Sequence, residues 1–151
     1  VMMSSEKNVI LRTAVIYGWH KNSRFTNWII ESLKENKTVD PFTDQSNTPT
    51  LVDDLAKVIL KIIKYNVSGI YHATGKTCIS RFEMTKIIAK TFGFNENLII
   101  PVTHAEKKQN APRPEKTCLD STKLEKLIQY EFSDINTGID YILKKSIEFS
   151  K

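Results

Sequence analysis

Residues 9–17, VILRTAVIY, are apolar or β-branched at every position except Arg12, and the run stops at Gly18. An apolar stretch without polar alternation predicts a strand buried on both faces, as in a parallel sheet covered by helices. The residues that follow extend this reading. Phe25, Trp28, Ile29 and Leu33 recur at helical spacing, predicting a helix over about 23–35. Residues 39–42 are short and extended, with Pro41 unsuited to a central strand. Residues 43–50 are dense in turn formers and predict a loop. A helix over about 51–65 follows, with Leu55, Val58, Ile59, Ile62 and Ile63 on one side and a cap-like pair, Thr50 and Asp53, at its start.

The second half repeats the alternation. Residues 69–73 predict a second buried strand. A helix then opens on a capping box, Ser80 with Glu83, and stops at Gly93. Residues 98–102 hold Pro101 and predict an edge strand, and 103–116 a long polar loop. A short helix capped by Asp120 or Ser121 runs to about Gln129. A last helix, capped by Ser133 or Asp134, carries the stripe Ile135, Ile139, Ile142 and Leu143. Strands alternating with helices define an α/β fold with a mainly parallel sheet.

Composition narrows the functions. The chain has 151 residues and a mass of 17.3 kDa, the size of one unit with its own core. Hydrophobic residues make up 40% and charged residues 26%, with 5 Gly and 5 Pro, which excludes disordered and collagen-like classes. No stretch approaches the roughly 20 apolar residues of a membrane span. Cys78 and Cys118 stand in unrelated contexts without a C-x-x-C spacing, so the expectation is reduced thiols in a cytoplasmic protein. The net charge is +5, but only four of 22 basic residues are arginine. The lysines follow amphipathic segments as a solvated face, so neither a nucleic-acid nor a membrane partner is expected. The chain opens at Val1 and enters its first strand at once, which reads as a piece of something longer.

Motifs are sparse. The five glycines stand alone, with neither G-x-G-x-x-G nor a phosphate loop, so this chain by itself is expected to bind no dinucleotide. Two Tyr-x-x-x-Lys spacings, Tyr17 with Lys21 and Tyr141 with Lys145, match the proton-transfer pair of reductases. The first straddles a strand end and the second a terminal helix, so both read as coincidences. His20, His72 and His104 lack metal-ligand spacing, and His72 reads as a hydrogen-bonded core histidine. What remains is polar residues at strand ends, where open α/β sheets bind ligands: Gly18-Trp19-His20, residues 45–50 and Thr74-Gly75. Arg113, between Pro112 and Pro114, suits an anion clamp, and a plain surface-turn arginine is an equal alternative.

Several segments, taken in order, resemble a known family: RTAVIYG from Arg12, Phe25 and Trp28, Asp44-Gln45, Thr48-Pro49-Thr50, Asp54-Leu55-Ala56, GIYHATG from Gly69, Ser80-Arg81-Phe82-Glu83, APRP from Ala111, Leu119-Asp120 and Lys123-Leu124. Together they resemble the C-terminal half of extended short-chain dehydrogenases/reductases, most of all the dTDP-4-dehydrorhamnose reductase subgroup. The resemblance implies the last strands of a Rossmann-type sheet with a smaller substrate-binding α/β part, the NAD(P)-binding portion and the catalytic Tyr/Lys pair lying upstream. It implies that the full-length protein reduces the 4-keto group of a nucleotide-sugar with NADPH or NADH, and that this chain alone is inactive. Arg113 corresponds to the group meeting the sugar-nucleotide diphosphate. Gln45, Thr48 and Thr50 correspond to the polar loop on the substrate side. Two departures stand out: Val15 where many of these reductases place a tryptophan, and Arg24 where asparagine is expected. A non-catalytic regulatory or scaffolding relative is the alternative, and a homodimer is left open.

Overall fold

The computed structural model describes residues 7–20, 23–107, 111 and 113–149. The opening apolar run is split. It forms β1 (Val9–Arg12) and β2 (Ile16–Tyr17), which join different sheets. The break falls where Val15 takes a positive φ of 27°, a region unfavourable to a β-branched residue. β1 pairs in parallel with β5 (Gly69–His72), from Val9 opposite Gly69 to Arg12 opposite His72. β2 pairs in parallel with β4 (Thr50–Leu51). β1 and β5 are half-buried rather than buried on both faces, since each has a single strand partner among the described residues.

The segment expected as a plain loop carries both β4 and β3 (Ser46–Asn47). β3 is the middle of a three-stranded sheet, antiparallel to β6 (Ile79–Ser80) and parallel to β7 (Lys116–Thr117). Asn47 lies opposite both Ile79 and Thr117. The expected edge strand reduces to two parallel bridges, Val39 with Ile99 and Phe42 with Val102, after a 3-10 turn at Glu96–Leu98.

Among the described residues six helices complete the frame: α1 (Arg24–Lys34), α2 (Val52–Lys64), α3 (Arg81–Phe92), α4 (His104–Lys107), α5 (Thr122–Ile128) and α6 (Ile135–Glu148). α4 interrupts the expected polar loop. The larger core lies between α1, α3 and α6, built on Ile29, Leu33, Met84, Ile88, Ile139 and Ile142. The second joins α2 to α5 through Val58, Ile62, Leu124, Ile128 and Phe132. On α2, Ile59 and Ile63 are exposed, so the apolar stripe is narrower than its spacing suggested. α6 lies against Tyr17 so closely that a Cβ at Gly138 would overlap the tyrosine hydroxyl.

Local signals held where they stayed local. Ser80 Oγ accepts the Glu83 N–H at 3.1 Å and Glu83 Oε2 accepts the Ser80 N–H at 3.0 Å, a complete capping box. Gly93 closes the helix at φ 72°. Asp134 caps α6 through the Thr137 N–H. At α5, Ser121 is the N-cap residue but Asp120 accepts the Thr122 N–H, while Ser121 Oγ turns to Thr74. Thr50 does not cap α2. Its hydroxyl donates to Ala14 O at 2.9 Å, and Asp53 receives the Tyr141 hydroxyl instead.

The cysteines also depart from expectation. Cys78 and Cys118 form a disulfide with Cα atoms 5.6 Å apart, closing a separation of 40 residues. Nothing in their sequence spacing signals this, because the pairing is made by two strands that flank a third.

Hydrogen bonds from Ser80 hold the Glu83 carboxyl below its ordinary pKa of 4.5. The folded-state pKa is lowered, so this stability is present above that value and is lost as pH falls through the folded pKa. Glu83→Ala is expected to cost about 1 kcal/mol at neutral pH, with the difference shrinking in acid. Urea titrations of both proteins across pH check this.

Candidate functional site

Two arginines distant in sequence meet at one cavity of about 330 Å³. α1 supplies Phe25 and Trp28 one turn apart, and the bridged segment after it supplies Asp40, Pro41, Phe42 and Gln45. Arg81 is the first residue of α3. Lys107 ends α4, and Arg113 comes from the strand-like arm that leads into β7.

The charges decide what such a hollow accepts. Lys107 is neutralised by an ion pair with Asp40. Neither Arg81 nor Arg113 pairs with a carboxylate among the described residues. Burial, and after it the charge of Arg113, push the Arg81 pKa below its ordinary value. A guanidinium keeps its proton regardless, so two like charges face each other uncompensated. Arg81 also occupies the first turn of α3, where the helix dipole disfavours a cation. Its guanidinium lies 4.7 Å from the centre of the Phe25 ring, which holds its plane in place. An anion with two negative oxygens relieves all of these costs at once.

The aromatic wall continues beyond the cavity. An adjoining hollow shares Phe25, Trp28 and Arg81 and adds Val15 and Arg24. Three of the four arginines in the chain therefore line one face. Trp28 lines the same hollow as Val15 and is 41% exposed. Arg81, Phe25, Trp28 and Lys107 are the residues that motif reading did not place in a site. Scarcity was the available signal, because few arginines in a lysine-rich chain draws attention to each one.

Of the expected substrate residues, Arg113 and Gln45 line this cavity, and Thr48 and Thr50 do not. Thr50 is fully buried, with its hydroxyl bound to Ala14 O and receiving Thr13 Oγ1. Thr48 is also buried, and its Oγ1 accepts the Leu119 N–H at 3.3 Å. Thr48 instead borders a separate cavity of about 380 Å³ that contains Thr74, Ser121 and the disulfide. Pro112 lies outside the described residues, so only Pro114 of the two prolines beside Arg113 is seen.

Of the two tyrosine–lysine spacings, only Tyr141 with Lys145 lies wholly within the described residues. Tyr17 is buried, and burial followed by the charges of Asp54 and Asp134 pushes its pKa up; Lys21 lies outside the described residues. Tyr141 donates to Asp53, and Lys145 pairs with Glu148. His72 is hydrogen-bonded to Asp120 O, but half-buried rather than in a core. Among the described residues, no three His, Cys, Asp or Glu side chains cluster as a metal site, and no helix is long and apolar enough to cross a membrane.

An α/β frame thus gathers strand-end loops, aromatic rings and two guanidiniums around one hollow, an arrangement suited to an anion joined to a flat ring. The chain belongs to the RmlD substrate binding domain family, which it matches over residues 1–147. It is 30% identical over 144 residues to a dTDP-4-dehydrorhamnose reductase of Aggregatibacter actinomycetemcomitans, covering 86% of this chain and 48% of that one. It is also 30% identical over 135 residues to methionine adenosyltransferase 2 subunit beta of Xenopus tropicalis, covering 84% of this chain and 40% of that protein. Among solved structures, dTDP-4-dehydrorhamnose reductase from Bacillus anthracis str. Ames in complex with NADP superposes with a TM-score of 0.82 at 27% identity, over 91% of this chain and 48% of that one. The chain thus spans about half the length of these relatives, or less.

Proposed function

We propose that this chain is the nucleotide-sugar-binding part of an NAD(P)H-dependent reductase of the dTDP-4-dehydrorhamnose type. The observation that carries the reading is the convergence of Arg81 and Arg113, neither paired with a carboxylate among the described residues, beside Phe25 and Trp28. The two guanidiniums hold the diphosphate. The rings pack against base or sugar, and Gln45 adds a polar contact. Thr48 and Thr50 act from within the frame, fixing Leu119 and Ala14 and thereby the segments that border the site.

A nicotinamide cofactor supplies a hydride in such an enzyme. The residues of this chain do not fit it: the glycines are scattered, and Tyr141 and Lys145 are engaged by Asp53 and Glu148. The reading therefore assigns cofactor and catalytic pair to another part of the protein, and gives this part binding and orientation of the sugar. Nucleotide-sugars are made from cytoplasmic nucleotide pools, and the same reading places the protein there.

Arg113→Ala in the intact protein is expected to raise KM for the nucleotide-sugar roughly tenfold to a hundredfold, the loss of one charged hydrogen-bonding partner, with NAD(P)H affinity unchanged. Steady-state kinetics and a cofactor titration check this, and an unchanged KM removes Arg113 from the site. A second reading, a regulatory subunit without reductase activity, is favoured by the likeness to methionine adenosyltransferase 2 subunit beta. Absence of turnover together with retained nucleotide binding selects it.

A further inference from the structure

The disulfide joins the two arms that carry the arginines. Cys78 and Cys118 are each one position beyond the register in which Asn47 of β3 faces Ile79 and Thr117. Outer strands separated by a middle strand lie roughly 9–10 Å apart, yet these Cα atoms are 5.6 Å apart. The arms therefore close over Thr48, where β3 ends. Arg81 follows Cys78 by three residues in the capped start of α3, and Arg113 precedes Cys118 by five.

The two arms are not equally secured. α3 is anchored by its capping box and its packing in the larger core. The Arg113 arm has an exposed two-residue strand paired with β3 and is otherwise held by single hydrogen bonds: Ser46 N–H to Glu115 O, Thr117 Oγ1 to Ser46 O, Leu119 N–H to Thr48 Oγ1 and Thr74 Oγ1 to Leu119 O. The covalent bond is its strongest connection to the element bearing Arg81. That bond is also reachable. Cys78 is exposed, Cys118 half-buried, and both line the open cavity beside Lys76. Exposed disulfides are the ones that exchange with thiols.

We propose that Cys78–Cys118 is a reversible thiol–disulfide site that sets the grip of the Arg81–Arg113 cavity on its anion. This rests on the reading of that cavity as the diphosphate site. The co-reactant is a cellular thiol of the glutathione or dithiol-protein class. Its thiolate attacks Cys78 Sγ, the Sγ–Sγ bond breaks, and Cys118 leaves as a thiolate that takes up a proton. A second thiol attacks the mixed disulfide, releasing Cys78 as a thiol and the co-reactant as its own disulfide. Two electrons pass to the protein, and the Arg113 arm keeps only its hydrogen bonds.

The test equilibrates the intact protein in mixtures of reduced and oxidised glutathione, counts alkylated cysteines by mass, and measures thymidine diphosphate affinity by calorimetry in each state. The expected result is interconversion across the mixtures, with affinity at least tenfold weaker after reduction. A Cys78→Ser/Cys118→Ser variant should match the reduced protein, and where it does not fold, reduced wild-type protein serves alone. A disulfide that stays intact in every mixture, or equal affinity in both states, overturns the switch and leaves the site reading standing. No binding in either state overturns the site reading, and the switch with it.

Discussion

Asp54→Ala is expected to lose about 3–6 kcal/mol of folding stability, from two hydrogen bonds to a charged acceptor at about 1.5–3 kcal/mol each. Asp54 is 4% exposed in the first turn of α2. Its Oδ1 accepts the Tyr130 hydroxyl at 2.6 Å and its Oδ2 accepts the Ser133 N–H at 2.8 Å. The carboxylate thus ties α2 to the segment between α5 and α6, across the smaller core. Alanine leaves a part-buried amide and a phenol without their acceptor. A loss of this size is a large share of the roughly 5–15 kcal/mol available to a domain. Urea unfolding measures it, with Tyr130→Phe as the graded control that removes one bond and keeps the other. A loss under about 1 kcal/mol for Asp54→Ala would refute this account of the network.

Removing the disulfide is expected to lower the thermal midpoint by roughly 8–16 °C. Closing a loop of 40 residues restricts the unfolded chain by roughly 4 kcal/mol, and each kcal/mol moves the midpoint of a chain this long by about 2–4 °C. Scanning calorimetry of the Cys78→Ser/Cys118→Ser variant, and of wild-type protein with and without reductant, reads the shift. The two routes should agree, because both restore the same freedom to the unfolded chain. An unchanged midpoint by either route would mean that the unfolded chain keeps those arms together without the bond.

Both features show where a sequence speaks and where it falls silent. The capping box at Ser80 and Glu83 and the stop at Gly93 were legible because each is completed within a few residues. The same pattern at Thr50 and Asp53 misled, since strand pairing across more than thirty residues takes the Thr50 hydroxyl for Ala14 O. Residues 9–17 read as one strand because composition shows no break, whereas the turn at Val15 is imposed by the two different partners of β1 and β2.

The site followed the same rule. Arg113 stood out as an anion clamp beside prolines and Gln45 within the polar strand-end loop, family resemblance pointed to both again, and the structure brings them together. Arg81 lay inside the quoted segments, yet its role emerges only when α3 and the Arg113 arm converge on either side of β3. Cys78 and Cys118 read as separate thiols for the same reason, because only the three-stranded sheet makes them neighbours.

The contact between Tyr17 and Gly138 has a consequence for synthesis. Tyr17 belongs to the larger core, and α6 covers it with the one residue small enough to let the phenol in. About 120 residues separate the two. On the ribosome, the first strands therefore emerge long before the surface that shelters them exists. Contacts this distant along the chain are formed late and slowly, and Tyr17 stays without its cover meanwhile. The interval in which β2 lacks its cover is set by the translation time of the chain between its second strand and its last helix.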